Sequence, residues 1–163
     1  MTPVLIAGIG NVFLGDDGWG VEVVRRLGER ELPPGVCAVD YGIRGVHLAY
    51  DLLDQDVEVL ILVDAIPGDD APGTVALLEV DERTRAELAA GGATVDSHAM
   101  HPEAVLAALE ALGGRVGRIL VVGCTPQTLE PRMALSPAVA AAVEPAIELA
   151  LQTAAAARPV GAG

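Results

Sequence analysis

Short apolar, β-branched runs alternate along this chain with longer stretches in which apolar residues return every three or four positions. Five runs read as strands: Val4–Ala7, Val36–Asp40, Val57–Asp64, Thr74–Val80 and Arg118–Gly123. Within the third, Val57 to Val63 is nearly continuous in apolar character, the pattern of a strand covered on both faces. Between the runs, Val21, Val24 and Leu27 share one face of a predicted helix. Val105, Leu109 and Leu112 share a face of another, after Pro102 in a first-turn position. The longest helix opens at Ser136-Pro137, an N-cap and first-turn pair, and repeats apolar residues at Val139, Val143, Ile147 and Ala150. Pro145 is expected to kink it. Because the turn-rich segment 67–73 precedes Thr74–Val80, that run is a candidate antiparallel edge strand.

Strands alternating with helices, without internal repeats, describe a single α/β domain. It is expected to span residues 1–157, with 158–163 a loose tail. At 163 residues the chain is long enough to bury a real core. A net charge of -13 excludes sequence-independent nucleic-acid binding, which draws affinity from Lys and Arg on phosphates, and disfavours anionic membranes. No apolar stretch is expected to span a bilayer, and no charged leader precedes an apolar core, so a cytoplasmic setting is expected. Cys37 and Cys124 lie in strand-like runs without Cys-x-x-Cys spacing and read as small buried hydrophobes of a reduced protein.

Ligands of open α/β sheets bind beyond the carboxyl ends of the strands, so the residues at the end of each run are informative. Gly8-Ile9-Gly10-Asn11 and Asp16-Asp17-Gly18-Trp19-Gly20 come after the first, Asp40-Tyr41-Gly42-Ile43-Arg44-Gly45 after the second, and Asp64 closes the third. The loop Thr94 to His101 can reach the same edge. Each residue has a plain structural reading: Asp16 or Asp17 as a helix cap, Asp64 as an acceptor of backbone amides, His98 as a loop histidine. An acid ending a buried apolar strand is costly unless paired or coordinated, however. Together Asp17, Asp64 and His98 supply two carboxylates and an imidazole, enough for an open metal site with room for water. Such a cluster without a cation has raised carboxyl pKa values, which a divalent ion relieves. His101 reads as the exposed start of the next helix and His47 as structural. Cys124 has no adjacent His in a nucleophilic pattern. Of the four aromatic residues, Phe13, Trp19 and Tyr41 fall beside these segments, where either a protein partner or plain core packing accounts for them.

The ordered set of segments resembles the endopeptidases that mature nickel–iron hydrogenases. It comprises Gly8-x-Gly10-Asn11, Asp16-Asp17-Gly18-x-Gly20, Asp40-x-Gly42, Val63-Asp64-Ala65, Ala71-Pro72-Gly73-Thr74, Ser97-His98 and Gln127-Thr128-Leu129-Glu130-Pro131. The resemblance implies a three-layer domain, a twisted, mostly parallel five-stranded sheet with helices on both faces. It implies removal of a C-terminal extension from a hydrogenase large-subunit precursor after nickel insertion. The family's metal-contacting positions fall on Asp17, Asp64 and His98, as catalytic and metal-binding residues. The nickel is expected to arrive with the precursor, no organic cofactor is expected, and the protein is expected to be a monomer. Asp16 is expected to orient a water or support a ligand from behind, and Asp40 to contact the precursor. Tyr41 to Gly45 departs from the glycine-rich form of some members, and the role of Arg44 stays open.

Two alternatives compete. A dinucleotide-binding domain shares Gly8-x-Gly10 and an acid at Asp40, but Phe13 stands where a third glycine packs helix on strand, and Asp16 and Asp17 repel a pyrophosphate. A non-catalytic chaperone for the nickel-loaded precursor shares every feature except cleavage.

Overall fold

A computed structural model describes residues 3–43, 45–83, 86, 106–108, 111 and 116–157. In chain order its strands are β1 (Val4–Ile9), β2 (Val36–Gly42), β3 (Val59–Ala65), β4 (Val75–Val80) and β5 (Arg118–Cys124). The helices are α1 (Trp19–Leu27), α2 (Gly45–Asp54), α3 (Pro137–Ala141) and α4 (Val143–Ala157), with a short 3-10 turn over Gly15–Gly18. The sheet order is β2-β1-β3-β5-β4. The first four of these strands are parallel, whereas β4 runs antiparallel on the edge, in keeping with the turn-rich segment before it.

Alternation along the strands splits the core in two. Val4, Ile6, Ile61, Val63 and Val122 face α1 and α4, where Val23, Leu27, Val143, Ile147 and Ala150 meet them. Leu5, Ala7, Leu60, Leu62 and Val121 face the opposite way, onto Leu48 and Leu52 of α2 and onto Leu106. Both faces of β1 and β3 are thus covered, which explains their unbroken burial. The result is the expected three-layer arrangement.

Three expectations need correction. Cys37 is exposed, because β2 is an edge strand whose side chains are only partly covered. Cys124 is buried as expected. The final helix breaks at Ala142 rather than at Pro145. Proline lacks the N–H that would bond the Ala141 carbonyl and crowds that carbonyl sterically, so the disruption falls one turn upstream. Lastly, α3 and α4 together span 21 residues, long and apolar enough by length and composition to cross a membrane. Here their apolar stripe is spent on the sheet, with Val139, Val143, Ala146, Ile147 and Ala150 all buried. The helix predicted around Val105, Leu109 and Leu112 lies largely outside the described residues, as does the tail 158–163.

Strand β1 connects to β2 on one side, and β2 then crosses to β3 on the other. The sheet's switch point is therefore the crevice between the ends of β1 and β3. Gly20 lets α1 sit directly on it, since a Cβ there would run into the carbonyls of Val63 and Ile9.

Candidate active site

Asp17 and Asp64 meet at this switch point. Asp64 is the penultimate residue of β3, and its alternation places it on the α2 side with Leu60 and Leu62. Asp17 belongs to the 3-10 turn between β1 and α1. That turn lies tightly on the end of β1: Gly10 has φ +147, and a Cβ there would overlap the Asp17 carbonyl oxygen. The Asn11 amide donates to Asp17 Oδ2 at 2.9 Å, fixing the carboxylate, while Asn11 Oδ1 accepts from the Phe13 amide.

Asp64 is 1% exposed, and among the described residues neither carboxylate oxygen has a hydrogen-bond partner. Burial pushes its carboxyl well above the ordinary 3.8 and the Asp17 charge pushes it further, while the Ala65 amide, near but outside hydrogen-bond geometry, is the smallest influence and opposes them. A fully buried acid with bare oxygens beside a second acid is a poor structural element and a good cation ligand.

Asp16 is different. It is fully buried, and its carboxylate accepts four hydrogen bonds: from the amides of Gln127, Thr128 and Ser136 at 2.8, 3.0 and 2.7 Å, and from Ser136 Oγ at 2.8 Å. Burial alone would raise its pKa, but these donors together hold it below the ordinary 3.8. This corrects the expectation that Asp16 orients a water: its acceptor capacity is taken up by the chain. Ser136 does hold the N-cap position of α3, but its side chain makes no cap hydrogen bond and serves Asp16 instead. The backbone completes the lacing, with Gly15 N bonded to Arg132 O, Asp16 N to Thr128 O and Arg132 N to Phe13 O. Sequence reasoning missed Ser136, Gln127 and Thr128 as partners, because nothing local marks residues that meet an acid more than a hundred positions away.

The other candidate residues fall into distinct settings. Asp40, at the end of β2, is exposed and accepts from the Gly42 amide at 2.7 Å. Cys124 ends β5, with its thiol pushed up to about 11 by burial and by Asp16, which leaves it inert as a nucleophile at neutral pH. Trp19 is buried in the core and Tyr41 is buried, donating from its hydroxyl to Asp51, whereas Phe13 is exposed. His47 is exposed on α2. His98, His101 and Arg44 lie outside the described residues, and among the described residues no group of three metal-ligating side chains forms. Of the three residues expected at the site, Asp17 and Asp64 are described and lie together.

An α/β sheet that sets two carboxylates at its switch point defines a class of protein whose ligand sits on the sheet's carboxyl edge. The sequence says which class this is. A family model described as hydrogenase maturation protease matches residues 21–153. The hydrogenase 2 maturation protease of Escherichia coli is 36% identical over 150 residues, covering 91% of this chain and 88% of the relative. The hydrogenase expression/formation protein HoxM of Azotobacter vinelandii is 34% identical over 151 residues, covering 91% and 70%. Among solved structures, the hydrogenase maturating endopeptidase HybD of E. coli superposes with a TM-score of 0.75 at 33% identity, covering 94% of this chain and 92% of that one. A hydrogenase 2 maturation peptidase from a Thaumarchaeota archaeon gives 0.71 at 33%, covering 93% and 97%. The chain belongs to the hydrogenase maturation protease family, and it is a hydrolase.

Proposed function

We propose that this protease removes the C-terminal extension of a nickel–iron hydrogenase large-subunit precursor, and that it recognises the nickel the precursor already carries. The observation that carries the reading is Asp64, whose two buried oxygens find no hydrogen-bond partner among the described residues and feel the charge of Asp17. A divalent cation brought by the substrate neutralises both carboxylates at once. Oxygen donors with an imidazole from His98 suit a borderline ion such as nickel.

On this reading the substrate's nickel polarises the scissile carbonyl or acidifies a water. The chain's own part is to hold the acceptors in place. Asn11 fixes Asp17, the glycines of the turn bring it onto the end of β3, and Asp16 fastens the turn to the segment after β5. A permanently bound metal is not required, and the protein acts as a cytoplasmic monomer.

The decisive experiment incubates the protein with nickel-loaded and with metal-free precursor and tracks the extension by mass. Loss of the extension from the nickel-loaded form alone is expected. An intact nickel-loaded precursor held in a stable complex would instead make the protein a chaperone. Equal cleavage of both forms would remove nickel as the recognition element.

A further inference from the structure

Nine large apolar side chains are exposed among the described residues, and five of them lie on the loops at the sheet's carboxyl edge: Val12, Phe13, Ile43, Leu129 and Met133. Phe13 and Ile43 are each 60% exposed and Met133 74%. Two grooves connect four of them, Val12, Phe13, Ile43 and Met133. One, of about 390 Å³, runs from Ile43 and Asp40 past Asn11 to Phe13 and Val12. The other, of about 300 Å³, lies across the same turn, between Val12, Gly15 and Gly18 on one side and Met133 and Leu135 on the other. Val12 walls both. The segment that carries Asp17 is thus the ridge between them.

These side chains are not exposed through slack. The loops bearing Phe13 and Met133 are bound to each other by three backbone hydrogen bonds and, through the Asp16 carboxylate, by four more. A Cβ on Gly15 would already press on the Thr128 and Glu130 carbonyls. Contiguous apolar surface held rigidly in water marks an interaction site. Its fringe carries both signs, with exposed carboxylates at Asp40 and Glu130, exposed Arg132 beside Met133, and Arg26 lining the second groove, on a chain of net charge -13.

Resting on the proteolytic reading above, we infer that Val12, Phe13, Ile43, Leu129 and Met133 form a docking collar for the folded body of the precursor. The matching surface is an apolar patch surrounding the point where the extension leaves, with basic groups opposite Asp40 and Glu130 and an acidic group opposite Arg132. The turn that carries Asp17 runs between the two grooves, and this argues the occupant: whatever seats on the collar lies across that turn. An apolar centre ringed by charge is the common anatomy of protein interfaces, and its energy concentrates in a few large side chains. Phe13 and Met133, one on each side of the ridge, are the two that stand out furthest on the laced loops.

Phe13→Ser, Met133→Ser and the double variant are compared with Tyr50→Ser, an exposed position on α2 outside the collar. The readouts are Kd toward nickel-loaded precursor, and KM and kcat for loss of its extension. The double variant should raise Kd and KM about tenfold or more, the scale of losing interface anchors, with kcat held within about twofold. Tyr50→Ser should match wild type. Phe13→Gln and Met133→Gln replace the serines if a variant loses its fold. An unchanged Kd in the double variant, or a loss confined to kcat, overturns the collar. A wild-type protein that binds precursor without cutting it overturns the proteolytic reading instead, while the Kd series still decides the collar. No binding by wild type overturns both.

Discussion

Asp16 and Asp64 are both buried at the carboxyl edge of one sheet, and the chain treats them in opposite ways. Asp16 accepts four hydrogen bonds, and Asp64 accepts none from the described residues. Burial works against the charge on each. At Asp16 the donors win and the carboxyl sits below its ordinary value; at Asp64 burial and the neighbouring Asp17 drive it up. A buried acid supplied with donors is part of the scaffold. One left bare costs stability, and it is retained where a ligand supplies the missing charge.

The contrast is sharpest in activity at Asp64. Asp64→Asn should lower precursor cleavage by about two to three orders of magnitude or more, the scale on which a preorganised electrostatic group acts. Its fold should persist, read as an unchanged or raised thermal midpoint. A folded variant that still cuts at wild-type rate would make Asp64 an ordinary strand end.

At Asp16 the main effect should be on stability. Removing the acceptor in Asp16→Ala strands buried donors and should cost about 3–5 kcal/mol, measured by denaturant unfolding. A loss below about 1 kcal/mol would mean the lacing bonds are readily replaced by water.

The pH dependence of unfolding separates the two acids by sign. Asp16 has a depressed carboxyl pKa, so its stabilisation is present above the ordinary 3.8 and is lost as pH falls below it. Asp64 has a raised one. Its folded form keeps a proton the unfolded chain has released, so stability is full below 3.8 and declines as pH climbs toward the raised value. Midpoints of metal-free protein recorded across pH should show both limbs. Asp64→Asn should flatten the upper limb alone.

Smaller effects bound the comparison. Gly20→Ala pushes a methyl against the Val63 and Ile9 carbonyls and should cost about 1–3 kcal/mol, as overpacking does, while moving the turn off Asp64 and slowing cleavage. Glu144→Ala removes exposed ion pairs from Arg26 and Arg30 that join α1 to α4, and should change stability by no more than about 0.5–1 kcal/mol with cleavage intact. Equal losses at Glu144 and Asp16 would show that exposed and buried carboxylates here carry similar weight.

How much of the molecule was legible in its sequence depended on range. Period-two and near-continuous apolar runs located all five strands to within a residue or two, and Ser136-Pro137 marked the start of α3. The acid ending β3 was suspect on local grounds, since a carboxylate closing a buried strand is costly wherever it occurs. The strand order was not local information, and it is what exposes Cys37 on the β2 edge. The role of Asp16 was hidden for the same reason. Its donors belong to a segment 111 to 120 residues away, and the motif around Asp16 is equally consistent with a helix cap.

That separation has a consequence for synthesis. A nascent chain that ends before Gln127 already contains both members of the acid pair, yet lacks every donor that Asp16 will use. Asn11 can already hold Asp17, but Asp16 has nothing to anchor it until the closing stretch emerges. The turn that carries Asp17 gains these anchors from the far end of the polypeptide, so a C-terminal truncation that spares Asp17, Asp64 and His98 should still slow precursor cleavage.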